Sequence, residues 1–297
     1  MQDFNYFNAS TITEVIQLLS DRGKRTKILN GGTDLIPQLS DGRVITDLLI
    51  DIKSIPEVRE FRYDEQGLFI GSAVTCLSLT KSEFLKNSYQ GLFDAFSLIG
   101  GIQIQGRATI GGNLCNSSPA ADSIPALIAY NAECILAGPE GTRKVLVESF
   151  CTGPGKNILA KNEFLLGVQI PKSSGIIGSS YERFIPRNEM DIAIVGVGSY
   201  IAINESTGKI ETVRIALGAV GPTPIYVKEA ETPLLGHSLF DEELLKFVEE
   251  TCAIAQKSAR PITDMRGTMS QRKHLVQILT RRTLITSIER IKKALRN

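Results

Sequence analysis

Apolar positions fall into short clusters whose spacing switches between helical and alternating along the chain. Near the N-terminus, Thr11-Ile12-Thr13-Glu14 has the form of a capping box, and Ile12, Val15, Ile16 and Leu19 recur on one helical face before Gly23 ends the run. Lys27–Leu29 reads as a short strand entering a glycine pair, Leu35-Ile36-Pro37 opens the next element, and Val44–Ile52 reads as a strand closed by Pro56. Residues 1–55 thus predict a small β/α lobe, and residues 56–175 a second one.

In the second lobe Leu68–Gly71 reads as a strand, and 77–87 and 90–99 as helices, the latter ended by Gly100-Gly101. Asp122-Ser123 predicts an N-cap for a helix with Pro125 in its first turn and Leu127 and Ile128 turned inward. Strands follow at 133–136 and 163–170. Pro171-Lys172-Ser173-Ser174-Gly175 has the composition of a linker and divides residues 1–175 from 176–297. Beyond it, the apolar runs 191–203 and 210–220 flank Asn204-Glu205-Ser206-Thr207-Gly208-Lys209, a hairpin signal. Residues 241–256, capped by Asp241, and 271–294 read as amphipathic helices. The C-terminal third is therefore expected to be an α+β unit, a small antiparallel sheet with helices on one face.

Composition narrows the function classes. A 297-residue chain with 42% hydrophobic content can bury a substantial core, and a net charge of +1 with intermixed signs offers no footprint for nucleic acid. The N-terminal residues have neither a basic nor an apolar signal segment, and no run reaches the roughly 18 apolar residues of a membrane span, so a cytoplasmic protein is expected. Cys76, Cys115, Cys134, Cys151 and Cys252 are odd in number and widely spaced, which argues against a disulfide framework, a cysteine-ligated metal or an iron–sulfur cluster in this chain.

Two glycine-rich stretches carry the candidate chemistry. One is Lys27-Ile28-Leu29-Asn30-Gly31-Gly32-Thr33-Asp34-Leu35; the other runs from Arg107 to Pro125 and contains Ala108-Thr109-Ile110-Gly111-Gly112-Asn113 and Asp122. Glycine lets backbone approach a ligand, and consecutive N–H groups form a concave anion site without a positive side chain. Two such loops suit the two phosphates of one dinucleotide, although each also has the composition of a tight turn. Neither is a Walker loop, and neither has the G-x-G-x-x-G spacing of a Rossmann turn. His237 and His274 lie outside both loops, no Ser/His/Asp or paired-carboxylate arrangement stands out, and no nicotinamide-binding motif is evident.

The motifs Leu29–Leu35 and Ala108–Asn113, together with Ser117-Ser118-Pro119-Ala120-Ala121-Asp122, resemble the FAD-binding medium subunit of the xanthine dehydrogenase family of molybdenum hydroxylases. Carbon monoxide dehydrogenase and nicotinate dehydrogenase have medium subunits of the same kind, and the bacterial xanthine dehydrogenase flavin subunits resemble the chain most. The likeness continues through Thr152–Lys156, Arg187–Ala193 and Gly218–Pro224. It implies an α+β fold: a two-lobed PCMH-type (vanillyl-alcohol-oxidase-like) FAD-binding domain followed by the C-terminal α+β domain.

The resemblance further implies that Lys27, Ile28, Leu29, Asn30, Gly31, Gly32, Thr33 and Asp34, with Ala108, Thr109, Ile110, Gly111, Gly112 and Asn113, wrap the pyrophosphate of non-covalent FAD. Asp122 would accept hydrogen bonds from the flavin side as well as capping its helix. Ile99, Phe164 and Leu165 would form an apolar slot for the ring, and Arg183 would supply a cation at the N1/O2 edge. Ile99 and Arg183 stand where the family pattern has an aromatic residue and a lysine. Ile99 could equally be helix core, and Arg183 a surface ion pair. No cysteine-rich insertion of the hydroxybenzoyl-CoA reductase kind is present.

By the same resemblance the molybdenum cofactor belongs to a large partner subunit and two [2Fe–2S] clusters to a small one, in a heterotrimer or its dimer. The FAD here would pass electrons to NAD⁺ or another acceptor. The small subunit is expected to meet apolar surface of the C-terminal lobe or of Gln103–Gly106. A self-sufficient FAD-dependent oxidoreductase and a non-catalytic nucleotide-binding module are the alternatives.

Overall fold

In the computed structural model, residues 3–187 and 190–296 are described. The first lobe carries β1 (Asn5–Asn8), α1 (Ile12–Ser20), β2 (Thr26–Leu29), α2 (Leu35–Ser40) and β3 (Leu48–Asp51). Its strands form a parallel sheet in the order β1-β3-β2. The capping box is realised: Thr11 Oγ1 accepts from the Glu14 N–H, and the Glu14 carboxylate accepts from the Thr11 N–H. β3 is shorter than the apolar run 44–52 suggested, because Val44 packs beside Leu29, Leu39 and Leu49 instead of joining the ladder.

The second lobe contains β4 (Phe61–Asp64), β5 (Gly67–Gly71), α3 (Cys76–Thr80), α4 (Glu83–Ser88), α5 (Gln90–Ser97), α6 (Ile102–Gln105), α7 (Ile110–Asn116) and α8 (Ser123–Ala129). It is completed by β6 (Glu133–Gly138), β7 (Gly141–Leu146), β8 (Cys151–Gly153), β9 (Lys156–Asn157) and β10 (Phe164–Pro171). Five strands make an antiparallel sheet in the order β4-β5-β10-β6-β7. The expected helix over 77–87 is broken in two, because Ser82 caps a new helix by accepting from the Leu85 N–H. Ala73, Ala137 and Phe164 of this lobe share a core with Val15, Ile50 and Ile55 of the first, which joins the two lobes by apolar burial.

The C-terminal part consists of β11 (Ile176–Phe184), β12 (Val195–Ile203), β13 (Ile210–Gly218), β14 (Ile225–Tyr226), α9 (Leu244–Ser258) and α10 (Met269–Ala294). Its strands form one antiparallel sheet in chain order. The hairpin falls where expected, with Asn204 Oδ1 accepting from the Ser206 and Thr207 N–H groups. α9 begins three residues later than expected: Asp241 accepts from the Glu243 N–H ahead of the helix, and Glu243 occupies the cap position.

The C-terminal unit has its own helices on one face, as expected, and the N-terminal part supplies a cover for the other. α9 and α10 cover one face of the sheet, while α5 and α8 of the second lobe cover the other. All nine residues of β12 are buried in consequence, so its sequence reads as a continuous apolar and small-residue run without alternation.

Candidate functional site

One cavity of about 830 Å³ opens where the first lobe, the second lobe and β11 meet, within the size range of small-molecule sites. Of the residues singled out from sequence, Lys27, Ile28, Asn30, Gly31, Gly32, Thr33, Asp34, Ile99, Ala108, Thr109, Gly111, Gly112, Asn113, Asp122, Phe164, Leu165 and Arg183 all line it. Leu29 and Ile110 do not: Leu29 packs on Leu39 and Leu49, and Ile110 is fully buried in the core of the second lobe. Neither His237 nor His274 lines the cavity; the His237 ring stacks on Phe247 at 3.9 Å.

The two glycine segments differ in physical kind. In the first, β2 delivers Asn30 to a loop in which the N–H groups of Gly31, Gly32, Thr33 and Asp34 donate to no protein acceptor among the described residues. Four successive donors on a cavity wall suit a polyanion. The loop is braced from behind, since Lys53 Nζ donates to the Asn30 carbonyl at 3.1 Å and to Asp51 Oδ2 at 2.7 Å. A Cβ on Gly31 would stand 2.0 Å from the Arg107 carbonyl oxygen, so the two glycine segments touch backbone to backbone only because residue 31 has no side chain.

The second segment is not a free loop. Thr109 caps α7 by accepting from the Gly112 N–H at 3.0 Å, and Gly111 and Gly112 occupy the first turn. Gly111 donates to the Ser72 carbonyl at 3.0 Å, and a Cβ there would meet Ser72 at 2.5 Å. The expected anion cradle of consecutive N–H groups is therefore not formed here. These donors are used by the protein, and Gly111 is required by close packing.

Asp122 is corrected too. It stands at the start of α8, but its carboxylate makes no capping bond. Oδ1 accepts from the Tyr181 hydroxyl at 2.8 Å and Oδ2 from Arg183 Nη1 at 2.5 Å. The Arg183 side chain is 6% exposed and that of Asp122 10%, so this is a buried ion pair and not a surface one. Burial pushes the Asp122 carboxyl up to about 6, against the opposing pull of Arg183 and the Tyr181 hydroxyl. Because the folded-state pKa is raised, Asp122 favours folding most when protonated, and its contribution declines between about pH 4 and pH 6. Melting temperatures of Asp122→Asn across that window should lack this component of the wild-type profile.

Phe164 and Leu165, at the start of β10, reach the cavity from two different cores, beside a register shift between Leu165 and Gly167. Ile99 follows α5 and is both core and cavity wall. Three buried polar atoms on the wall, Thr26 Oγ1, Asn30 Oδ1 and Arg183 Nε, have no hydrogen-bond partner among the described residues. Buried polar groups are ordinarily bonded, so these mark places for ligand atoms.

Ser118, Lys161 and Asp191 also line the cavity, and Lys53 and Tyr181 stand behind it. Ser118 and Asp191 lie inside motifs that carried the resemblance; nothing local marks Lys53 or Tyr181.

Residues 2–173 match the family described as the FAD binding domain in molybdopterin dehydrogenase, and residues 180–287 the CO dehydrogenase flavoprotein C-terminal domain. The chain belongs to the FAD-binding subunits of the molybdenum hydroxylases. It is 31% identical to the xanthine dehydrogenase FAD-binding subunit of Escherichia coli O157:H7 over 97% of each chain. It is 27% identical to the nicotinate dehydrogenase FAD-subunit of Eubacterium barkeri over 98% of each. Among solved structures, carbon monoxide dehydrogenase from Hydrogenophaga pseudoflava superposes with a TM-score of 0.89 at 28% identity, covering 98% of this chain and 99% of that one. As a molybdenum hydroxylase FAD-binding subunit, the chain is part of an oxidoreductase and has the fold of that family. Among the described residues no helix is long and apolar enough to cross a membrane.

Proposed function

We propose that the cavity holds FAD non-covalently and that this chain is the electron-transfer subunit of a xanthine dehydrogenase-like complex in the cytoplasm. The observation that carries the reading is the row of four N–H groups from Gly31 to Asp34, unbonded among the described residues, in the same cavity as the buried Arg183. A diphosphate needs such donors, and a flavin ring gains from a cation beside the edge that becomes negative on reduction.

In this reading Gly31–Asp34 bind the pyrophosphate, with Lys27, Ile28 and Asn30 beside it and Ala108, Thr109, Gly111, Gly112 and Asn113 lining the adjoining part of the cavity. Ile99, Phe164 and Leu165 exclude water from the ring, and Asp122 holds Arg183 in place. Bound FAD supplies conversion between single electrons and a hydride. The molybdenum cofactor and [2Fe–2S] clusters belong to a large and a small partner, in a heterotrimer or its dimer. NAD⁺ or another acceptor takes the electrons, and a purine is the proposed substrate of the complex, after the relatives named as xanthine dehydrogenase subunits. Ile102, Met190 and Ile192, exposed beside the cavity, offer apolar surface to the small subunit. Residues 1–175 and 176–297 form the two domains of this assignment.

The purified chain should show a flavin absorption spectrum, release FAD on acid treatment, and hydroxylate nothing alone. A colourless protein that takes up no added FAD would remove the proposal.

A further inference from the structure

Tyr181 lies behind the cavity wall and touches the site only through Asp122. Its ring is buried, and its hydroxyl occupies room left by Gly196 on the neighbouring strand, where a Cβ would come within 2.5 Å of that oxygen. From there it donates to one oxygen of Asp122 at 2.8 Å, while the other oxygen takes Arg183 Nη1 at 2.5 Å. Tyr181 and Arg183 are two residues apart on β11, so both side chains leave the sheet on one face and converge on the start of α8. Both carboxylate oxygens are thus occupied by protein, whereas the buried Arg183 Nε has no partner among the described residues. Asp122 faces Arg183 and Arg183 faces the cavity.

We propose that Tyr181 is a positioning residue of the flavin site: its hydroxyl keeps Asp122 ionised and oriented, and Asp122 in turn sets how much of the Arg183 charge a bound flavin feels. The proposal rests on the assignment of the cavity to FAD. An ion pair presents far less charge to a neighbour than a lone guanidinium, so the potential of the flavin depends on whether Asp122 carries its charge. Removing a hydrogen bond to the charged form favours protonation, leaves Arg183 uncompensated, and stabilises reduced flavin. Lys27, Asp34, Lys161, Glu163 and Asp191 are further titratable side chains on the cavity wall. Glu163 and Asp191 are held in the charged form by Arg143 and Arg187, and none of the five bonds to Asp122.

The test is spectroelectrochemical titration of the FAD-loaded chain between pH 6 and 9 for wild type, Tyr181→Phe, Asp122→Asn and the double variant, with FAD dissociation constants and melting curves alongside. Asp122→Asn should raise the midpoint potential across the range. Tyr181→Phe should raise it by less, with the difference from wild type fading as pH rises and both proteins ionise Asp122. In the Asp122→Asn background, Tyr181→Phe should add nothing. Arg183→Met should lower the potential and weaken FAD binding roughly tenfold, the scale of one lost charge-assisted bond. A Tyr181→Phe protein with the wild-type potential at every pH, or with the same shift in the Asp122→Asn background, would overturn the proposal even if its melting temperature fell. If wild type itself took up no FAD, the cofactor assignment would fail first, and that result is distinct.

Discussion

Gly31→Ala should lower FAD affinity by at least about a hundredfold, roughly 2.7 kcal/mol, in a chain that still folds. The added methyl would stand 2.0 Å from the Arg107 carbonyl oxygen and 2.8 Å from its carbon, and both are backbone atoms that no rotamer change can move. Relief requires the first loop to withdraw from the start of the second segment. That movement displaces the four N–H donors proposed to hold the pyrophosphate. Overpacking of this kind costs about 1–3 kcal/mol in cores, and the loss of aligned donors adds to it. Gly153→Ala is the control, because nothing stands within 4 Å of a Cβ there. Fluorescence titration of FAD decides the matter: near-equal affinity in Gly31→Ala and Gly153→Ala would mean that the first loop does not hold the cofactor.

Arg272→Met should produce the largest loss of stability. The guanidinium is 5% exposed, yet it donates to the Ile194 carbonyl at 2.9 Å, the Ala219 carbonyl at 3.1 Å and Asp264 Oδ1 at 2.7 Å. It ties α10 to the residues before β12 and after β13. Methionine fills similar space but leaves these acceptors unbonded, at a cost of about 3–4 kcal/mol, which corresponds to a fall in melting temperature on the order of 10 °C. Ile194 follows Ile192 and Ala193, both on the cavity wall, so weaker FAD binding should accompany the fall. A scanning calorimeter gives the answer directly. A melting point within about 2 °C of wild type would show that Arg272 braces nothing.

What was legible in the sequence was local in origin. Thr11 and Glu14 satisfy each other across three residues, and Asn204 closes the hairpin over its own backbone, so neighbouring side chains determine both features. The resemblance brought the glycine segments, Asp122, Phe164 and Arg183 to one site, and the chain folds them around one cavity. Local signals misled where a distant partner competed. Asp122 has the sequence context of a helix cap, but Tyr181 and Arg183, about 60 positions further on, take both its oxygens. Gly111 and Gly112 have the composition of an open phosphate loop, but the Ser72 carbonyl and Thr109 Oγ1 take their N–H groups.

By itself, then, the sequence determined the family, the periodicity of the longer elements and the identities of most cavity residues, because these depend on side-chain type and short-range spacing. Only the tertiary structure decided that the two glycine segments play different parts, that the C-terminal sheet is covered on both faces, and that Lys53 and Tyr181 support the site from behind. The physical reason is one of range. A buried donor or charge is satisfied by whatever the packed chain brings within about 3 Å, and the partners found here lie tens of positions away in sequence.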